Sequence, residues 1–284
     1  MFELLCTVRN CGQLLQLRED GLFCAAGHHF DRSKQGYWNL LQPQDRRSRN
    51  PGDADAAVVA RHRWLSRGYA DSLIDSLREW VGPQSQEQPG QRRILDLGCG
   101  EGSFGPALFP SDAQGYCGID LSKRAIKLAA RGWPAATWVL ANADRFLPAA
   151  DASVDLVLSL FGRRPISEIR RLLAADGVCI VAVPGEEDLI ELRQQVQQAG
   201  HRRSRWEAVV DEMSAAGLEC VEQKHWQHRV ELEPEAISDA LAMTYRGVRH
   251  SQHTRAESLT TMPVTLAADL ILLRKRFALG ENRC

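Results

Sequence analysis

The stretch R-R-I-L-D-L-G-C-G-E-G-S-F at residues 92–104 restricts the fold more than any other part of the chain. Its apolar run, Ile94-Leu95 and Leu97, is broken by Asp96. Three glycines follow, Gly98, Gly100 and Gly102, with Glu101 between the last two, and then a helical pattern. This predicts a buried parallel strand, a tight turn and the first turn of a helix. Glycine is needed where backbone turns sharply or a ligand comes close to it. The spacing is G-x-G-x-G, not the G-x-G-x-x-G of dinucleotide folds. A carboxylate ahead of the turn would repel a pyrophosphate and suits a cationic ligand.

Strands and helices alternate after the turn. A second strand is expected over 115–119, ending at Asp120, then a helix over 122–131 capped by Ser122. A third strand over 136–141 is followed by Asn142-Ala143-Asp144. A fourth strand is expected over 154–160, a helix over 166–173, a fifth strand over 177–183 and a helix over 187–198. Residues 263–275 read as either strand or helix. The alternation implies an α/β domain with a parallel sheet covered on both faces. Right-handed crossovers put the carboxyl ends of the strands along one edge, where ligands bind. Asp96, Asp120 and Asp144 therefore converge on one rim. An acid after the second strand can accept both hydroxyls of a ribose. One after the third can accept the exocyclic amine of adenine. Cys99 in the turn is expected to be a small packing residue rather than a nucleophile. Cys117, Cys179 and Cys220 fall in strand-like runs and are expected in the core.

Three of the eight cysteines lie in the first 24 residues, as Cys6-x4-Cys11 and then Cys24-x3-His28. Paired soft and borderline ligands suit tetrahedral zinc. Strand-like segments at 13–17 and 22–24 would bring the pairs together, and His29 is an alternative fourth ligand. So small a module lacks a core of its own, and the metal would supply the stability. Four protein ligands leave no open position, so the site reads as structural. In F-D-R-S-K-Q-G-Y-W-N-L-L, which follows, Tyr37, Trp38, Leu40 and Leu41 are expected to dock the module onto the rest. A platform for a nucleobase is the other role open to these aromatics.

Residues 46–53 are basic and then punctuated by Pro51 and Gly52, which predicts a loop whose arginines hold phosphate or are simply solvated. One or two helices are expected over 53–81, and 82–91 is a linker. The formal net charge of -1 advertises neither nucleic acid nor membrane, so local clusters must carry any such contact. Candidate clusters are Arg46-Arg47-Arg49, Arg61 with Arg63, and Arg202-Arg203-Arg205. No apolar run approaches the length that spans a bilayer, and residues 1–6 are too short and acidic for a signal peptide. A cytoplasmic location without membrane partners is expected, with reduced, buried or metal-bound cysteines.

D-L-G-C-G-E-G, then G-I-D-L-S, then A-N-A-D, resembles the class I S-adenosylmethionine-dependent methyltransferases over residues 92–276. The resemblance implies a Rossmann-like, mostly parallel sheet ending in an antiparallel strand, which 263–275 could supply. It also implies that the Gly98–Gly102 loop faces the methionine portion, Asp120 the ribose and Asp144 the adenine. The order of parts along the whole chain is similar to a narrower family, the 23S ribosomal RNA guanine-N1 methyltransferases. C-A-A-G-H-H-F-D and S-K-Q-G-Y-W-N-L-L come first, then R-R-S-R-N-P-G-D and A-R-H-R-W-L-S-R-G-Y, and V-P-G-E-E-D-L-I-E-L follows the fifth strand. That family implies a zinc-ribbon-like module with the metal at Cys6, Cys11, Cys24 and His28. It implies cofactor contacts from Gly100-Glu101, from Tyr69, and from the segment after Pro184-Gly185 that carries Asp188. The expected partners are 23S ribosomal RNA and a second copy of the chain. The expected division is 1–45 zinc module, 46–91 helical connection and 92–284 methyltransferase domain.

The chain departs from the family's aromatic-Ala-Pro after the fourth strand, where it has Phe161-Gly162-Arg163. Asp188 stands where the family often has His. The sequence leaves the base that would take the guanine N1 proton open between Glu101, Asp188 and solvent. Arg163 and Arg164 are candidates to stabilise the guanine oxygen or hold a phosphate. A small-molecule methyltransferase and a non-catalytic RNA-binding protein are the competing readings.

Overall fold

The computed structural model describes residues 2–19, 21–45, 51–81, 92–197, 205–244 and 259–276. The linker at 82–91, the arginines at 46, 47, 49, 202 and 203, and Cys284 lie outside them. The amino-terminal module holds three short antiparallel strands, β1 (Gln16–Arg18), β2 (Gly21–Phe23) and β3 (His29–Asp31). A two-residue strand, β4 (Trp38–Asn39), leaves the module, and helices α1 (Asp55–Ser66) and α2 (Asp71–Val81) follow.

The alternating part then begins with β5 (Ile94–Leu97), α3 (Phe104–Leu108), β6 (Tyr116–Asp120), α4 (Lys123–Gly132) and β7 (Thr137–Leu140). It continues with β8 (Val154–Leu160), α5 (Ile166–Leu172), β9 (Leu173–Pro184) and α6 (Ile190–Gln197). Last come α7 (Trp206–Ala215), β10 (Leu218–Leu232), α8 (Pro234–Thr244) and β11 (Met262–Lys275). One eight-stranded sheet runs in the order β10-β11-β9-β8-β5-β6-β7-β4. Pairing among β4 to β9 is parallel, and β11 runs antiparallel between β9 and β10. The ambiguous segment at 263–275 is therefore the antiparallel strand.

The strands that were legible are those covered on both faces, which read as continuous apolar runs. All four residues of β5 are buried. Two cores flank the sheet. One takes Trp64 of α1 and Leu73 and Leu77 of α2 against Ile94, and the other takes Phe2 and Leu4 of the module against Leu95 and Leu97. Residues 37–41 feed both, Tyr37 and Leu41 on one face and Trp38 and Leu40 on the other. All four are buried, so they dock the module and offer no platform to a base. β4 achieves this by covering the edge of β7, which would otherwise be open to pairing. Leu40 N–H donates to Leu140 O at 3.1 Å and Leu5 N–H to Pro148 O at 3.0 Å, closing the seam from both sides.

Cys220 is exposed, not in the core. It lies on β10, the outer strand, where the register slips between Cys220 and Glu222 and turns the side chain outward. The expected pair of basic residues at Arg61 and Arg63 is engaged in ion pairs within the chain. Arg63 of α1 and Arg67, the residue that follows α1, both donate to the buried carboxylate of Asp239 on α8, Arg67 Nη1 at 2.6 Å. Arg61 pairs with Asp53 at 3.0 Å. Among the described residues no helix is long and apolar enough to cross a membrane.

Candidate functional site

The module's two turns bring Cys6, Cys11, Cys24 and His28 together, with all four ligand atoms within 4.8 Å of one another. Cys11 Sγ lies 3.8 Å from Cys24 Sγ, and His28 Nδ1 lies 3.5 Å from Cys6 Sγ and 3.4 Å from Cys24 Sγ. A tetrahedral zinc ion with the usual bond lengths separates sulfur ligands by about 3.8 Å and sulfur from nitrogen by about 3.5 Å. The three spacings match those of a tetrahedral zinc site, and the donor set fits that ion. Burial pushes the Cys6 thiol up to about 12, so the cation supplies the charge that makes it a thiolate. His29 is not a ligand. Its ring stacks on Phe23 with centroids 4.3 Å apart, and Nε2 lies 3.4 Å from Asp31.

A cavity of about 530 Å³ opens at the carboxyl ends of β5, β6 and β7. Asp96, Gly98, Gly100, Glu101, Asp120 and Asp144 all line it. Gly100, at φ +59°, turns its N–H onto Asp120 Oδ2 at 3.0 Å, so the loop and the second strand's acid are fixed to each other. Asp120 Oδ1 also accepts from Ser122 N–H at 2.7 Å, and Ser122 in turn caps α4 through Ala125 N–H. Gly102 is required for a different reason. A Cβ there would come within 2.6 Å of Trp138 and 2.7 Å of Ala129. Asp96 is buried and accepts from Tyr116 Oη at 2.5 Å, and burial holds its carboxyl up to about 7. Burial raises Asp120 as well. Cys99 is buried in the loop with its thiol pushed far up, which fits packing and not nucleophilic attack.

Acids dominate this lining. Among the described residues, Asp45, Asp53, Asp96, Glu101, Asp120 and Asp144 line it with the two cations Arg61 and Arg163. A cavity so charged favours a cation, and S-adenosylmethionine carries a sulfonium and an ammonium. The residues present thus fit that cofactor.

Tyr69 and Asp188 are not in this cavity. They line a neighbouring one of about 500 Å³, with Trp64, Phe104, Phe161 and Trp226 and the cations Arg61, Arg193 and Arg205. Arg61, Leu65, Phe104 and Phe161 are common to both, so the two cavities adjoin along that line. Phe161 is 46% exposed and adopts φ +59°, a conformation that a bulky side chain rarely takes and that concentrates at functional sites. Asp188 Oδ1 accepts from Ala267 N–H at 3.1 Å, and burial raises its carboxyl to about 6.

Two groups escaped the sequence reading. The strap Pro51-Gly52-Asp53 and the α1 residue Arg61 wall the first cavity from outside the alternating domain. Arg163 reaches across the rim, with Nη2 3.3 Å from Asp144 Oδ2. It therefore meets the acid after β7 and does not line the second cavity. Arg164 turns its Nη1 to Gly162 O at 3.5 Å. The P-G-D tripeptide was the one available signal for the strap. Nothing local announced the Arg163 pair.

Known proteins share both halves of this arrangement. Residues 6–49 match the family model described as RlmA, N-terminal, and residues 94–177 match one described as a methyltransferase domain. Two relatives carry the name "Putative 23S rRNA (guanine-N(1)-)-methyltransferase". The one from Micromonospora griseorubida is 30% identical over 94% of this chain and 95% of its own. The one from Bacillus subtilis (strain 168), YxjB, is 37% identical, and that match spans 63% of each chain. A 23S rRNA (guanine(748)-N(1))-methyltransferase from Streptomyces fradiae is 28% identical over 93% of this chain and 95% of its own. The crystal structure of BH2331 from Bacillus halodurans C-125 shares the fold with a TM-score of 0.50, at 16% identity over 68% of this chain and 96% of that one.

Proposed function

The chain belongs to the 23S rRNA (guanine-N1)-methyltransferase family, and from that premise we propose that it methylates N1 of a guanine in a hairpin loop of 23S ribosomal RNA. The observation that carries this reading is the pair of adjoining cavities, one acid-lined for a cationic cofactor and one aromatic and arginine-lined for a base. S-adenosylmethionine, when bound, supplies a methyl group activated by its sulfonium.

The chain's own residues position and exchange protons. Asp120 accepts the ribose hydroxyls on lone pairs left free by Gly100 and Ser122 N–H. Asp144 accepts the adenine amine. Asp96, Gly98, Gly100 and Glu101 would hold the methionine end, and Arg61 and Leu65 line the join between that cavity and the one that holds Tyr69. The target guanine enters the second cavity beside Phe161, extruded from its loop as base-modifying enzymes require. Holding N1 in line with the methyl carbon and the sulfur is the main catalytic work. Guanine N1 must lose its proton, and among the described residues Asp188 is the acid lining that second cavity. With one oxygen held by Ala267 N–H, the other is available as general base, with a pKa near the working range. Glu101 is turned into its own loop, accepting Ser103 N–H at 3.3 Å.

We divide the chain as 1–45, 46–91 and 92–284, with structural zinc on Cys6, Cys11, Cys24 and His28 in the first part, and place it in the cytoplasm. A homodimer would use the exposed surface of Leu14, ahead of β1, and Leu17 on β1, which are 47% and 56% exposed; sedimentation velocity tests it. A small-molecule substrate is not favoured, since the long-matching relatives are named for 23S rRNA. Methyl transfer from labelled S-adenosylmethionine to ribosomal hairpin fragments is the direct assay. Label recovered as N1-methylguanine supports the reading, and absence of transfer to any 23S fragment overturns it.

A further inference from the structure

A third cavity adjoins the cofactor cavity, on the seam between the zinc module and the sheet. Its volume is about 460 Å³, within the range of small-ligand sites. The metal knuckle contributes Arg9, Asn10 and Cys11, and the loop after β7 contributes Asn142, Arg145 and Phe146. It touches the cofactor cavity through Asp45 and Asn142, which line both.

Three features make this a built site and not a gap. The seam is fixed on both sides, by Leu5 N–H to Pro148 O and by Leu40 N–H to Leu140 O. Thr7 Oγ1 donates to Leu40 O at 2.6 Å and accepts from Gln42 Nε2 at 3.2 Å, tying the knuckle to the floor. Phe146 is 40% exposed and packs against a cation. The Arg171 guanidinium sits 4.9 Å from the ring centroid, and its own N–H groups are taken up by Glu168, Asp151, Leu147 O and Ala149 O. One face of the ring is thus braced by a cation.

The chemistry around the ring is that of nucleotide recognition. Among the described residues Arg9 forms no ion pair, and Arg145 has only a 3.7 Å approach to Asp45. Asn10, at φ +62°, and Gln44 carry amides that can meet base edges. An aromatic face with amides and arginines nearby suits an unpaired base and its phosphate.

We propose that this seam cavity is a second RNA subsite, which takes an unpaired nucleotide other than the methylated guanine, stacks its base on Phe146 and holds its phosphate with Arg9 and Arg145. The proposal rests on RNA being the substrate. It gives the zinc module a direct part in selecting the hairpin, since one wall is the loop that carries Cys11.

Equilibrium binding of a fluorescent 23S hairpin fragment to the full chain, with zinc content and S-adenosylmethionine affinity measured in parallel, tests it. Phe146→Ala should weaken hairpin binding by about tenfold, the scale of one lost base stack, and Phe146→Trp should restore it. Arg9→Ala should weaken binding and reduce the slope of log affinity against log salt by about one phosphate contact. Zinc content and cofactor affinity should match the unaltered protein in all three. Tight hairpin binding by the unaltered protein with no change in Phe146→Ala or Arg9→Ala overturns the subsite alone. No hairpin binding by the unaltered protein overturns the RNA reading and the subsite with it.

Discussion

Asp96 shows at a single residue what a cationic cofactor site costs a fold. Burial raises its carboxyl to about 7, against an ordinary value near 4. The folded, cofactor-free protein therefore keeps a proton that the unfolded chain has already released. Its contribution to stability is full below about pH 4 and is lost as the pH rises through about 7. Asp96→Asn keeps an acceptor for Tyr116 Oη and removes the buried charge. The variant's cofactor-free melting temperature should exceed that of the unaltered protein at pH 8, with the difference shrinking toward pH 5. Its affinity for S-adenosylmethionine should fall about tenfold or more, the scale of a charged hydrogen bond. Differential scanning fluorimetry and calorimetry together read both. Asp188 makes the complementary prediction. As a base near 6 it must be ionised, so kcat/KM should fall as the pH drops below about 6. Asp188→Asn should lose methyl transfer by about a hundredfold or more and flatten that limb while cofactor binding persists. Loss of cofactor binding instead would return Asp188 to the cofactor-contact role implied by family resemblance.

At the scale of elements, the zinc cluster and the sheet are coupled through β4. The module's docking residues complete both cores, and β4 seals the edge of β7. Stripping the metal, or Cys24→Ser, should therefore destabilise more than the module. A loss of roughly 3–5 kcal/mol would lower the melting temperature by about 10 °C. Metal analysis should find one zinc per chain before and little after, and a Cys24→Ser protein that kept its metal and melting temperature would contradict the assignment. The same coupling explains what the sequence made legible. β5, β6 and β8 are buried on both faces and announce themselves as apolar runs ended by acids or glycine. β4 is two residues long and gains its meaning only from β7, about a hundred positions later. β10 has nine of its fifteen residues exposed and no apolar alternation, so nothing in the sequence marks its length. Likewise the acids of the cofactor cavity were legible from the strand ends. Arg163 across Asp144, and Asp188 in a separate cavity from Asp120, depend on how loops fold back over the rim.

For the molecule as a whole, one edge of the sheet carries the chemistry, and the amino-terminal parts surround it. The strap 51–53 and α1 wall the cofactor cavity, while the zinc module meets its far end through Asp45. With a formal net charge of only -1 the chain has no bulk attraction for RNA. Binding should depend on a few placed arginines and weaken with salt in proportion to their number. The central claim is that this edge transfers a methyl group to guanine N1 of 23S ribosomal RNA. Mass mapping of 23S RNA from cells with and without the gene tests it most directly. One guanine in a hairpin loop should carry an N1-methyl group in the parent, lose it in the deletion strain and regain it on complementation. Identical methylation maps in the two strains would contradict the claim.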